Sequence, residues 1–483
     1  MEPPSVNLKA ITGNPNGSIP PKHKAHSHDA FFKSVQWSAD GTTLFTSSFS
    51  SRICTFVLPE TLLQPRESPV ELIAHSTLAL PEPSSAIAPC PYFALEHPST
   101  QTLLTASTDH PIHLHHAFPP SPSPTSPSPA DDSTHDTPSP PPPPPPPPPT
   151  RTQPPPLASF RLIKHETEAY LPIASLTWPA PGTHFIAGTT NRIALFDLSR
   201  PDALDPNPLL SIPTIPSTRH LAKGGGVGMR GVVSALAAQP MSVAGVDGGD
   251  GGGGGGWGLL AAGTRTRNLG LYDLVRSGEC VATWSAAGAA REAGIGGRGV
   301  MQTAWSPCGR YLVVNERGAT GLLVYDLRGT HRLLGTLEGR DGTTNQRLSC
   351  DVFSGTESMG GFEVWAGTKN GGVVVWEGVG NQEGAVQPSW DWKAHGSAVG
   401  ATAMHMSGSV VATCSGAWTF VDRDEDESSD SSDCSDAGAG ATRRGNSKSK
   451  IVVEETSLKV WSLGPGNSPQ VERDNDVGGD AET

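Results

Sequence analysis

Leu195-Phe196-Asp197-Leu198, Leu271-Tyr272-Asp273-Leu274 and Val324-Tyr325-Asp326-Leu327 are copies of one phrase: apolar residues, an aromatic, an acid, a leucine. Val375-Trp376-Glu377 and Val460-Trp461-Ser462-Leu463 are shorter versions. A second phrase, Trp37-Ser38-Ala39-Asp40-Gly41, returns as Trp305-Ser306-Pro307-Cys308-Gly309. Self-similarity on this scale marks an array of one supersecondary unit, in which each copy buries a face against the next.

Around each phrase lie short alternating runs split by turn residues, as expected of four-stranded antiparallel units. In the first unit these are Ser34–Trp37, Leu44–Ser47, Ile53–Leu58 and Val70–Ile73. Further units begin near Tyr92, Ile173, Gly231, residue 299, residue 346 and Val399, which makes seven. The spacing predicts an all-β, seven-bladed WD40-type β-propeller. The seventh blade is one strand short, and the only unassigned run of strand character is Val6-Asn7-Leu8-Lys9-Ala10-Ile11. That run is expected to supply the missing outer strand and close the ring, removing an open sheet edge.

Composition separates the ring from its insertions. Residues 1–30 read as an N-terminal segment carrying the closing strand, 31–465 as the propeller, and 466–483 as a disordered acidic tail. Disordered insertions are expected at about 119–156, 202–230, 245–257 and 421–450. The first holds an unbroken run from Pro140 to Pro149. Proline lacks an amide donor and fixes φ, so this run reads as solvated polyproline II. It is either a spacer or a ligand for an aromatic groove of the SH3, WW or profilin kind. Gly248–Gly256 reads as an overgrown hairpin.

The formal net charge is -13. Asp422–Asp436 and Glu472–Glu482 hold thirteen of the 47 acids and supply most of the imbalance, leaving a near-neutral body. That excludes a general polyanion or DNA binder, while leaving room for a local basic patch. Ser428, Ser429 and Ser431 lie beside acids and are candidate phosphorylation sites. No apolar run approaches the ~20 residues needed to span a bilayer, so no membrane partner is expected. Seven scattered cysteines form no paired framework, which points to reduced thiols.

Catalytic and cofactor signals are absent or fail their context. Gly226-Val227-Gly228-Met229-Arg230-Gly231 matches a phosphate-binding fingerprint, but it precedes a strand rather than opening a helix. Asp422, Asp424 and Asp426 imitate the start of a calcium loop that lacks its later glycine and glutamate. His113 and His115 share a strand face without a third ligand in sequence. His26 or His28, His75 and His395 read instead as the histidines that tie strands together at the start of a blade. We therefore expect no enzyme, no cofactor and no metal.

Several phrases go beyond propeller grammar. They are Pro111-Ile112-His113-Leu114, Asn191-Arg192, Ser199-Arg200-Pro201, Arg267-Asn268-Leu269-Gly270-Leu271-Tyr272, Leu322–Arg328, Thr343-Thr344-Asn345-Gln346-Arg347 and Ala412-Thr413-Cys414-Ser415-Gly416. In this order the chain resembles the telomerase Cajal-body WD-repeat protein family over most of 30–465. The resemblance implies a non-catalytic nuclear scaffold that binds small Cajal-body or telomerase RNA, with distant members linked to spliceosomal small nuclear RNA and pre-mRNA splicing. The alternative is a general WD40 protein–protein adaptor in a nuclear or cytosolic complex.

RNA loops are read by unstacked bases on aromatic or arginine planes and by hydrogen bonds to base edges. Asn345, Gln346 and Arg347 offer two amides and a guanidinium in one linker. Arg52, Arg192 and Arg267 each precede a third strand by one or two residues, so they are expected on one rim of the ring. These six residues are the candidate RNA contacts.

Overall fold

The computed structural model describes residues 3–12, 31–119, 155–164, 166–199, 207–215, 228–240, 258–329, 332–355, 360–421, 450–453 and 455–464. The Pro140–Pro149 run, Gly248–Gly256, His26, His28, the serines 428, 429 and 431, Asp422–Asp426 and the acidic tail lie outside them.

The described residues form seven blades, each an antiparallel sheet of four strands laid out in the order a-b-c-d from the axis outward, with a separate two-stranded sheet of Trp418–Val421 and Lys450–Val453. The inner strands a are Phe32–Trp37, Ser84–Pro89, Ser175–Thr177, Val233–Ala238, Val300–Trp305, Cys350–Phe353 and Val399–Met404. They line a central channel. The outer strands d of blades 1 to 6 are Ser76–Ala79, Ala158–Phe160, Leu210–Pro213, Glu279–Ser285, Arg332–Leu337 and Trp390–Lys393. In blade 7 the outer strand is Ser5–Ile11, which pairs antiparallel with Ser457–Gly464. Leu8 faces Trp461 and Ala10 faces Val460 across this pair, so the two ends of the ring are joined as expected.

Strand b shows why the alternation looked imperfect in sequence. Thr43–Ser48, Thr102–Ser107, Phe362–Gly367 and Val410–Ser415 are buried at every residue. A blade is wedged between two neighbours, so both faces of its middle strand are covered. In blade 1, Leu44 packs toward blade 7 beside Ala412 and Val460. The next residue, Phe45, packs toward blade 2 beside Leu103.

The repeated phrases now have a physical meaning. The aromatic at the end of strand c fills the gap to the preceding blade. Phe196 packs with Phe160 of blade 2, Tyr272 with Ile193 of blade 3, and Trp376 with Val324 of blade 5. The following acid caps the turn to strand d. Asp197 accepts the Ser199 amide at 2.8 Å, Asp273 the Val275 amide at 3.0 Å, and Asp326 the Arg328 amide at 3.0 Å. In the second phrase the tryptophan sews strand a to the blade before it. Trp37 Nε1 donates to the Ala403 carbonyl at 2.9 Å, and Trp305 Nε1 to that of Ala237 at 3.0 Å. The serine hydroxyl closes the a–b hairpin by accepting an amide, Ser38 from Thr43 and Ser306 from Tyr311. The final glycines, Gly41 and Gly309, turn the chain at φ 71° and 67°.

One expected strand and one expected blade start are placed differently. Val70–Glu71 is not strand d of blade 1. It adds in parallel to Ala10–Ile11, as a fifth strand of blade 7. Ser76–Ala79 takes its place because Leu78 and Leu80 then bury against Ile53, Ile87 and Phe93, whereas Ile73 is left 77 % exposed. Blade 2 begins at Ser84, not Tyr92. Its inner strand is built of small residues suited to the crowded axis, which mutes the apolar pattern. Blade 6 runs on to Trp390–Lys393, while Gly384–Val386 joins blade 5 in parallel.

Among the described residues no helix is long and apolar enough to cross a membrane. The cysteines 54, 90, 280, 308, 350 and 414 are all unpaired.

Candidate nucleic-acid interface

Strand a runs away from the link that enters its blade, and strand b returns to that same side. The b–c turns and the d–a links therefore share one face of the ring. Arg52, Arg192 and Arg267 fall on it, as expected, and so does the 343–347 link. Their surroundings differ sharply.

Arg267 is committed to structure. Its Nε lies 2.6 Å from Glu316 of blade 5, and an Nη donates to the Gly296 carbonyl at 3.0 Å. Glu316 is buried, and burial raises its carboxyl above the ordinary range despite the arginine. Gln346 also braces: its amide donates to the Gly416 carbonyl at 2.6 Å. Asn345 is exposed, Arg52 is exposed, and Arg192 is half-buried. None of these five lines the channel except Gln346.

Arg347 does line it, and it has company. Arg265, Arg298, Arg317 and Lys33 line the same channel mouth. The four arginines are exposed, yet Arg317 and Arg347 are crowded closely enough for neighbouring charges to act on them. Arg347 is pushed below its ordinary pKa by burial first, then by Arg317 and Arg265. Arg317 is pushed down by burial, then by Arg265 and Arg298. Lys33 falls to about 8, chiefly by burial and secondarily through Arg347. Among the described residues no carboxylate pairs with any of the four arginines. Asp351 also lines the channel, but its carboxylate accepts the amides of Val352 at 2.9 Å and Met404 at 2.6 Å. Burial raises it to about 6.

An aromatic group adjoins the cations. Phe31, Phe49 and Trp418 form a triangle, with Phe49 at 4.7 Å from each of the other two rings and Phe31 at 5.3 Å from Trp418. Phe49 lines the channel, and Lys33 Nζ sits 5.6 Å from its ring centroid. Trp418 is 47 % exposed. Stacking surface and positive charge therefore stand side by side at one opening, the pairing that single-stranded nucleic acid requires.

The sequence reading missed Arg265, Arg317 and Phe49 by register. The residue immediately after strand b turns into the channel: Phe49, Thr108, Thr190, Arg265 and Arg317. The residue before strand c, where Arg267 stands, points away. Arg340, in the same link as Arg347, is buried and donates to the carbonyls of Gly367 and Leu348 and to Asn315. Position within a link decides whether its arginine braces or is presented.

The remaining ring walls are stitched polar contacts. Ser175 donates to the Val233 carbonyl, Ser234 to that of Val300, Gln302 to that of Cys350, and Lys33 to that of Ser84. Each links one inner strand to the next, so the channel is a fixed frame.

His395 fills the tying role expected of it. Trp461 Nε1 donates to Thr413 Oγ1 at 2.9 Å, which lies 2.7 Å from His395 Nε2. His395 Nδ1 lies 3.0 Å from Ser457 Oγ, which donates to Glu455 at 2.9 Å. His75 does not share that role: it is exposed and rests edge-on against Phe118. His113 and His115 meet ring to ring at 5.5 Å. Among the described residues no group of three potential metal ligands forms.

No protein-family model matches the chain. The chain is 22 % identical over 334 residues, 68 % of each protein, to the Guanine nucleotide-binding protein negative regulator 1 of Schizosaccharomyces pombe. The finer resemblance to telomerase Cajal-body proteins has no counterpart in these comparisons. Taken with the seven blades, the similarity supports placing this chain among the WD-repeat β-propellers.

Proposed function

We propose that the protein is a non-catalytic RNA-binding scaffold, acting in the nucleus on small nuclear, small Cajal-body or telomerase ribonucleoproteins. The observation that carries this reading is the group of channel-mouth arginines, which pair with no carboxylate among the described residues, beside the Phe49–Trp418 pair. Exposed charges that repel one another call for an external anion. Adjacent rings select an anion that carries bases. Of the six expected RNA contacts we retain Arg347, which lines the channel mouth; Arg267 and Gln346 brace the ring.

The test is crosslinking of RNA to the protein in cells, with sequencing of what is recovered. Enrichment of small nuclear or Cajal-body RNAs supports the reading; recovery of abundant background RNA alone overturns it. A second reading, a protein adaptor, draws on the similarity to the fission-yeast negative regulator. It predicts stable protein partners after RNase treatment and no loss on Arg347→Ala.

A further inference from the structure

We infer that the channel mouth seats the phosphorylated 5′ end of an RNA strand, with terminal phosphates on Arg265, Arg298, Arg317 and Arg347 and the first base against Phe49 and Trp418. This rests on the RNA-binding reading and names the part of the RNA that the site takes.

Three features favour an end over the middle of a strand. The first is charge density. Four guanidiniums and the Lys33 ammonium share one opening. An internal phosphodiester brings a single negative charge. A terminal phosphomonoester carries about -1.5 to -2 near neutral pH, and di- and triphosphates concentrate more. A set of cations too close for comfort is offset best by an anion that is equally compact.

The second is room. The channel cavity holds about 840 Å³ and is walled by the inner strands of all seven blades. A volume of that order suits a single ligand of drug size, hence one or two nucleotides. The stitched inner strands fix its width, so a strand that enters has little space to turn and leave. A chain terminus meets this constraint.

The third is adjacency. Lys33 joins the two parts of the site: its ammonium lies 5.6 Å from the Phe49 centroid and feels the charge of Arg347. Going from Trp418 through Phe49 and Lys33 to the arginines, the order is stacking surface, bridging cation, phosphate cluster. A 5′ nucleotide presents base, sugar and phosphates in the same order.

The experiment uses the full chain and one short single-stranded RNA, labelled at its 3′ end and made with a 5′ triphosphate, a 5′ monophosphate or a 5′ hydroxyl. Fluorescence anisotropy reads affinity. The triphosphate form is expected to bind at least about tenfold more tightly than the hydroxyl form, the size of one charge-assisted contact. The monophosphate form should fall between them. Arg298→Gln with Arg317→Gln should erase the difference between ends, while Arg52→Gln preserves it. Inorganic tripolyphosphate should displace the triphosphate RNA. Equal affinity for all three ends overturns this inference and leaves RNA binding standing. Binding of none of the three overturns the RNA reading itself. Inositol hexakisphosphate bound tightly while no RNA form competes with it also overturns the inference, because the site would then take a free polyphosphate.

Discussion

Lys33 is the channel-mouth cation whose charge changes nearest to neutral pH. Its folded pKa of about 8 lies below the ordinary 10.5. Between those values the unfolded chain holds the extra proton, so this residue adds stability as pH rises from 8 toward 10.5. Its effect on binding runs the other way. A bound phosphate favours the charged form, so RNA affinity should fall as pH climbs through about 8. Anisotropy titrations from pH 7 to 9.5 should show that decline in the parent and a flatter profile in Lys33→Gln. A parent profile that stays level contradicts the assignment of Lys33 to the site. His395 makes a different kind of claim, on stability alone. Removing it leaves Thr413 and Ser457 short of partners in a buried place. His395→Ala should cost about 2 kcal/mol in urea denaturation, within the range for a buried polar group left unsatisfied. His75→Ala, which breaks no such chain, should cost little.

At the scale of elements, the closing strand carries the main prediction. Ser5–Ile11 covers the edge of Ser457–Gly464 and buries Ala10 completely. Deleting residues 1–12 should lower the melting temperature by about 10 °C, a loss of several kcal/mol for a domain of this size. It should also speed amide exchange in Ser457–Gly464. Unchanged exchange there would show that the strand is ornamental. This strand was legible in sequence because a ring of four-stranded blades has a fixed strand count, and one strand was missing. The c-strand phrases were legible for a related reason: each aromatic fills the same gap and each acid caps the same turn. The inner strand Ser84–Pro89 was not legible, since small residues near the axis carry no apolar period. The competition between Val70–Glu71 and Ser76–Ala79 was equally hidden. Both runs alternate, and only packing against blade 2 decides between them. The site was half legible. Arg347 and the shared face followed from order along the chain. Arg265, Arg317 and Phe49 needed the register of the b–c turn, which places one residue in the channel and the next outside it.

At the scale of the whole molecule, charge is segregated. The chain as a whole carries -13, yet five cations gather at one end of its channel. Net charge therefore gives a poor guide to what this surface attracts, and the local field decides. Binding to single-stranded RNA should weaken with salt, with a slope set by the number of phosphates engaged. The most direct test is that slope, measured for the parent and for Arg317→Gln with Arg347→Gln, once thermal melting has shown that both are folded. The account predicts weaker binding by the double variant at every salt concentration and a slope of log affinity against log salt that is shallower by about 1.4, two contacts' worth on a single strand. Identical affinity and identical slope in the two proteins would contradict it.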